Sequence, residues 1–117
     1  YRAPASHHNE ISPKDELCYQ IVEKFYTEAS EKADVYVLHL PIERNLEYII
    51  SDRKLDYAEL LKRLESDFPL INPVYNLLDY AYSNSLDDLF GVDEFVHYSG
   101  IGNQIIAETV KNDIIEL

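Results

Sequence analysis

Prolines and helix caps cut this chain so finely that only short elements fit between them. Proline fixes φ and has no N–H to donate, so a helix tolerates it only in its first turn. Ser12-Pro13-Lys14-Asp15 reads as a start, with a capping serine, proline at the first helical position and an acid at the third. The helix that follows predicts an inner stripe of Leu17, Ile21, Phe25 and Ala29, flanked by Cys18, Val22 and Tyr26, with Glu28 four residues ahead of Lys32. Pro41 ends the one strand-like run, residues 35–40. That run is apolar throughout, so as a strand it would be buried on both faces, and no convincing second strand partners it. Should it form a free edge, strand addition across a homodimer follows.

Beyond Pro41, Ile42, Leu46, Ile49 and Ile50 mark a short helix. Asp56-Tyr57-Ala58-Glu59 reads as a capping box. It opens a helix with Tyr57, Leu60, Leu61, Leu64 and Phe68 inward, and Pro69 stops it. Asn72-Pro73 starts another, carrying Val74, Leu77, Leu78 and Ala81. Ser85 with Asp88 caps one turn through Leu89 and Phe90, and Asp93 caps a short helix through Phe95 and Val96. Gly100 and Gly102 make a turn, and residues 103–117 form the last helix, burying Ile105, Ile106, Val110 and Ile114. The expected fold is mainly α, a compact bundle of six or seven short helices, with residues 35–40 as a candidate short buried strand.

At 117 residues the chain is long enough for one real core, and residues 12–117 read as a single helical domain. Residues 1–11 read as a disordered polar leader or tag remnant containing His7-His8, with no apolar segment of signal-peptide type. The chain contains no methionine, so it reads as a processed or excised piece. No apolar run approaches the roughly 20 residues of a membrane span. The single cysteine, Cys18, makes no internal disulfide, which fits the cytoplasm or another reducing compartment; it reads as a small core residue.

Charge carries the most functional information. The net charge is −12, and its distribution is uneven. Residues 1–63 hold twelve acids and nine Lys or Arg, whereas residues 64–117 hold ten acids and only Lys111. Such a field repels nucleic acid and anionic membrane and draws in basic protein surfaces. The plainer alternative is that acidity simply keeps the domain in solution.

The stretch "HYSGIGNQIIAE", residues 97–108, is the most motif-like. Helix, Gly-aliphatic-Gly, helix resembles the hairpin of helix-hairpin-helix DNA-binding motifs, and "GIGN" is similar to the helix-two-turn-helix element of base-excision glycosylases. The resemblance implies that Gly100, Ile101, Gly102 and Asn103 cradle a phosphate with backbone N–H groups. It covers about a tenth of the chain, without the zinc finger or N-terminal catalytic proline of the glycosylases. Asp87, Asp88, Asp93, Glu94 and Glu108 flank it with Lys111 the only nearby base, and affinity for DNA comes chiefly from cations. The competing reading is a plain interhelical turn.

Other chemistry is poorly supported. Glu94-x-x-His97 has the spacing of a di-iron helix ligand pair, but no second such pair exists. His39 reads as a core histidine with one hydrogen-bond partner. Asp87-Asp88 and Asp93-Glu94 lack the ligand alternation and central glycine of a calcium loop. No nucleophile elbow, P-loop or dinucleotide fingerprint is present. The chain therefore reads as non-enzymatic, with no metal or cofactor implied.

Tyrosine is abundant, ten residues with no tryptophan. Tyr75, Tyr80, Tyr82 and Tyr98 fall within residues 64–110, a stretch with no Lys or Arg, among its acids. Tyrosine gives large contact area at low entropy cost, and neighbouring carboxylates steer and pair Lys or Arg on a partner. The expected partner-binding set is Asp79, Tyr80, Tyr82, Asp87, Asp88, Asp93, Glu94 and Tyr98. The function expected is an interaction domain docking on a basic protein, as an inhibitor, an immunity-type protein or an assembly module. A nucleic-acid-associated domain using residues 100–103 is the alternative.

Overall fold

The computed structural model describes residues 11–91 and 97–116. In chain order these form α1 (Pro13–Ala29), β1 (Val37–Leu38), α2 (Glu43–Ile50), α3 (Ala58–Asp67), β2 (Leu70–Ile71), α4 (Val74–Ser83), a 3-10 turn at Leu86–Leu89 and α5 (Gly100–Glu116). The protein is mainly helical: five α-helices among the described residues rather than six or seven, with one two-stranded sheet. The chain folds into two compact units, Tyr1–Val37 with Asp56–Leu70, and Leu38–Leu55 with Ile71–Leu117.

In the first unit α1 packs on α3 around buried Tyr19, Leu60 and Leu64, bordered by Ile11, Val22, Tyr57 and Phe68. Ser12 caps α1 as expected, its hydroxyl accepting from the Asp15 N–H at 3.1 Å. The inner face of α1, however, is aromatic. The Tyr19 hydroxyl donates to Asp67 Oδ2 at 2.5 Å, and the Arg63 guanidinium lies 3.7 Å from the Tyr19 ring centre. Phe68 stands 5.7 Å from Tyr19 and 5.0 Å from Tyr26 between ring centres.

This overturns the stripe read from sequence. Leu17, Ile21 and Phe25 are 59%, 61% and 70% exposed, and Cys18 is an exposed free thiol rather than a core residue. The helix carries two apolar stripes and has one partner helix in this unit. The tyrosine stripe wins because its rings bury area while its hydroxyl and face find Asp67 and Arg63. Glu28 pairs with Lys24 at 2.9 Å, and Lys32 falls beyond the helix end. α3 begins at Ala58, with Tyr57 rather than Asp56 at the cap position and no cap bond from the Tyr57 side chain.

The second unit buries Leu46, Val74, Leu77, Leu78, Leu89, Phe90 and Ile106 in one cluster from α2, α4, the 3-10 turn and α5. Leu46, Leu77 and Leu89 are fully enclosed, and truncating any one to alanine costs about 2–5 kcal/mol. Ile105 and Val110 border the cluster, while Ile114 is exposed because the helix outruns the core. Ile42 and Ile50 are exposed likewise.

Residues 35–40 contribute only Val37–Leu38 as strand, and the run is not buried on both faces: Leu38 and Leu40 are exposed. Two of its N–H groups bond to β2 and its flank, Val37 to the Pro69 carbonyl at 2.9 Å and His39 to the Ile71 carbonyl at 3.0 Å. The partner strand β2 lies between two helix signals, and two residues are too few to show strand alternation. His39 Nδ1 is 2.9 Å from Asn72 Oδ1, which also accepts from the Val74 N–H at 3.3 Å and so holds the start of α4.

Candidate protein-docking surface

The second unit holds every described member of the expected partner-binding set, and α4 sorts them. Val74, Leu77 and Leu78 face the core, so helical spacing turns Tyr75, Asp79 and Tyr82 the other way. Tyr75 and Tyr82 are 74% and 66% exposed, and Asp79 between them is exposed. This tyrosine–aspartate–tyrosine stripe is one exposed flank of α4, beside exposed Asn76 and Ser83. Tyr75 is not in the expected set, although its position four residues before Asp79 and seven before Tyr82 puts it on the same helix face.

Two of the expected tyrosines serve the fold instead. Tyr98 is half-buried and stacks on Phe90, with ring centres 5.0 Å apart and planes 25° apart. Its hydroxyl donates to the Pro41 carbonyl. Tyr80 packs beside the core, and its hydroxyl donates to Asp88 Oδ2 at 3.3 Å. Burial and then the Asp88 carboxylate push the Tyr80 phenol upward, so it stays neutral and able to donate.

Asp87 and Asp88 are exposed on the 3-10 turn, which Ser85 caps by accepting from the Asp87 N–H at 3.2 Å. Two further acids join them that the expected set lacks. Half-buried Glu43 is pushed above the usual carboxylate range, first by burial and then by the charges of Glu47 and Asp87. The acidic field therefore draws on α2 as well as the C-terminal half, a juxtaposition that only tertiary packing creates. The sequence ranges of the units accordingly differ less than the two halves of the chain: eleven acids against six bases in the first, eleven against four in the second. Asp93 and Glu94 lie outside the described residues, as do the short helix expected at Asp93 and the Glu94 half of the Glu-x-x-His pair. His97 is exposed.

Gly100, Ile101, Gly102 and Asn103 form no hairpin and no interhelical turn. They are the first turn of α5. Ser99 caps it: its hydroxyl accepts from the Gly102 N–H at 3.2 Å and donates to the Asp88 carbonyl at 2.5 Å, and its carbonyl accepts from the Asn103 N–H at 2.9 Å. Gly102 is buried against the Leu89 carbonyl and the Tyr98 ring, so its glycine serves close packing of α5 on the 3-10 turn.

Among the described residues no group of three or more His, Cys, Asp or Glu could hold a metal ion. No helix among them is long and apolar enough to cross a membrane. Comparison with protein-family models, curated proteins and solved structures finds no match to this chain.

Proposed function

We propose that the protein is a non-enzymatic interaction domain that docks on a basic protein through α4, with Tyr75 and Tyr82 as contact residues and Asp79 between them. Asp87, Asp88, Glu43 and Glu47 supply the field around that stripe. The observation that carries the reading is the outward stripe itself. Two largely exposed aromatic rings on one helix face give apolar contact area at small entropy cost. The carboxylate set between them pairs a lysine or arginine that lands there, and the surrounding acids raise the encounter rate. Inhibitors of basic enzymes, immunity-type proteins and acidic assembly modules all need this combination.

Salt and charge reversal test it. Binding of a basic partner weakens as ionic strength rises from about 0.05 to 0.5 M, because the Debye length falls several-fold. Asp87→Lys with Asp88→Lys slows association more than it speeds dissociation, as expected of charges that steer. Binding that ignores both salt and this reversal refutes the proposal.

A further inference from the structure

We infer that the outward face of α1 is a self-complementary surface on which a second copy of this chain docks, antiparallel about a two-fold axis through Ile21. The inference does not rest on the α4 surface, which belongs to the other unit.

Leu17, Ile21 and Phe25 recur every four residues along a helix of about 25 Å, and all three lie open to solvent. Beside them Ile21, Phe25, Tyr26, Val35 and Val37 line an open, mainly apolar groove of about 280 Å³, room for an incoming aliphatic side chain. Singly exposed apolar residues need no explanation, but a contiguous row bordering an apolar groove marks an interaction surface.

Charge identifies the occupant. At 100° per residue, Lys14 and Glu28 project between Leu17 and Phe25, at opposite ends of the same face. Each stands seven residues from Ile21. An antiparallel two-fold through Ile21 therefore sets Lys14 against Glu28 of the second copy, and Leu17 against Phe25 of the second copy. Ile21 meets its own counterpart. Glu28 already holds Lys24 at 2.9 Å within the helix, so the incoming lysine completes a three-membered network at each end. An isologous contact repeats every pairing twice, which is what self-complementarity of charge and shape requires. A parallel arrangement would instead oppose Lys14 to Lys14 and Glu28 to Glu28. The row resembles the narrow seam of a two-stranded coiled coil, with the ionic pair fixing orientation. The surface is small, and it gives a dimer that forms and dissociates with concentration.

Sedimentation velocity on the full chain tests this. The expected result is a weight-average mass that rises from 13.6 kDa toward twice that value as concentration increases to roughly 500 µM. Ile21→Asp leaves a monomer at every concentration, with its circular dichroism and unfolding midpoint kept, because the side chain is exposed in the monomer. Lys14→Glu alone and Glu28→Lys alone each weaken self-association roughly tenfold, since each reversal acts twice. An equimolar mixture of the two single variants restores it, because every pair in the mixed dimer is again opposite in sign. A chain that stays monomeric throughout overturns the inference. So does a dimer indifferent to Ile21→Asp, or variants that fail to rescue one another.

Discussion

Gly102 lies directly against the Leu89 carbonyl, so close that a Cβ at that position would run into the carbonyl oxygen and crowd the Tyr98 ring. That contact sets α5 on the 3-10 turn and, through Ser99 and Tyr98, ties the turn to the core. Gly102→Ala is expected to destabilise the protein by about 1–3 kcal/mol, the usual cost of an overpacked site whose obstacle is backbone. Gly100→Ala is the control, since nothing lies within 4 Å of its Cβ position. It leaves stability unchanged or raises it by up to about 1 kcal/mol. Denaturant unfolding of the pair measures the difference.

Tyr98 and Tyr82 are expected to separate stability from binding. Tyr98→Phe removes the hydroxyl that donates to the Pro41 carbonyl and should cost about 1 kcal/mol in stability, with partner affinity unchanged. Tyr82→Ala should do the reverse, changing stability by less than about 0.5 kcal/mol and weakening binding at least roughly tenfold. Unfolding curves and binding isotherms on the same two proteins decide this.

Glu43 is expected to make stability depend on pH. Its carboxyl is raised above the ordinary value by burial, Glu47 and Asp87, despite the opposing pull of the α2 N-terminus. A raised carboxyl means that the folded state holds the proton more tightly. The stability linked to that proton is complete below about pH 4 and is lost as pH rises through the folded value. Glu43→Gln is therefore expected to gain stability relative to the parent between pH 4 and 7. Unfolding midpoints across that range, plotted as a difference, should climb; a flat difference means that Glu43 titrates as an ordinary carboxylate.

Tyr19 is expected to contribute to the alkaline loss of stability of the first unit. Its phenol is raised by the hydrogen bond to Asp67, then by burial and by the Asp67 and Glu23 charges, with Arg63 opposing. Stability linked to this proton is present below about pH 10 and is lost as pH climbs through the folded value. Tyr19→Phe should cost about 1 kcal/mol near neutrality and abolish that part of the alkaline loss. Tyrosinate absorbance and unfolding followed together from pH 8 to 12 measure both effects.

What the sequence disclosed depended on whether a signal was local. The Ser12 cap, the Pro41, Pro69 and Asn72-Pro73 punctuation and the core positions of α4 rest on backbone chemistry within a few residues, and the structure has them where expected. The inward face of α1 was not legible, because Leu17, Ile21 and Phe25 outrank Tyr19 in hydropathy. The choice between stripes depends on Asp67, Arg63 and Phe68, some fifty residues away. Gly100 and Gly102 misled for a related reason: glycine signals a turn, whereas Gly102 answers to a carbonyl in another element. In the candidate surface, the exposure of Asp79 and Tyr82 followed from helical spacing. The inward roles of Tyr80 and Tyr98, and the arrival of Glu43 beside Asp87, needed the packing of α2, α4 and the 3-10 turn.

The most direct test of the α4 surface is a parallel affinity capture from host extract at about 0.05 M salt, where screening is weak. One column carries the native protein and the other a Tyr75→Ala, Asp79→Lys, Tyr82→Ala variant of equal unfolding midpoint. A basic protein held by the native column, absent from the variant column and released by about 0.5 M salt is the expected result. Equal recovery on both columns, or retention only of acidic proteins, would contradict the docking function proposed for this face.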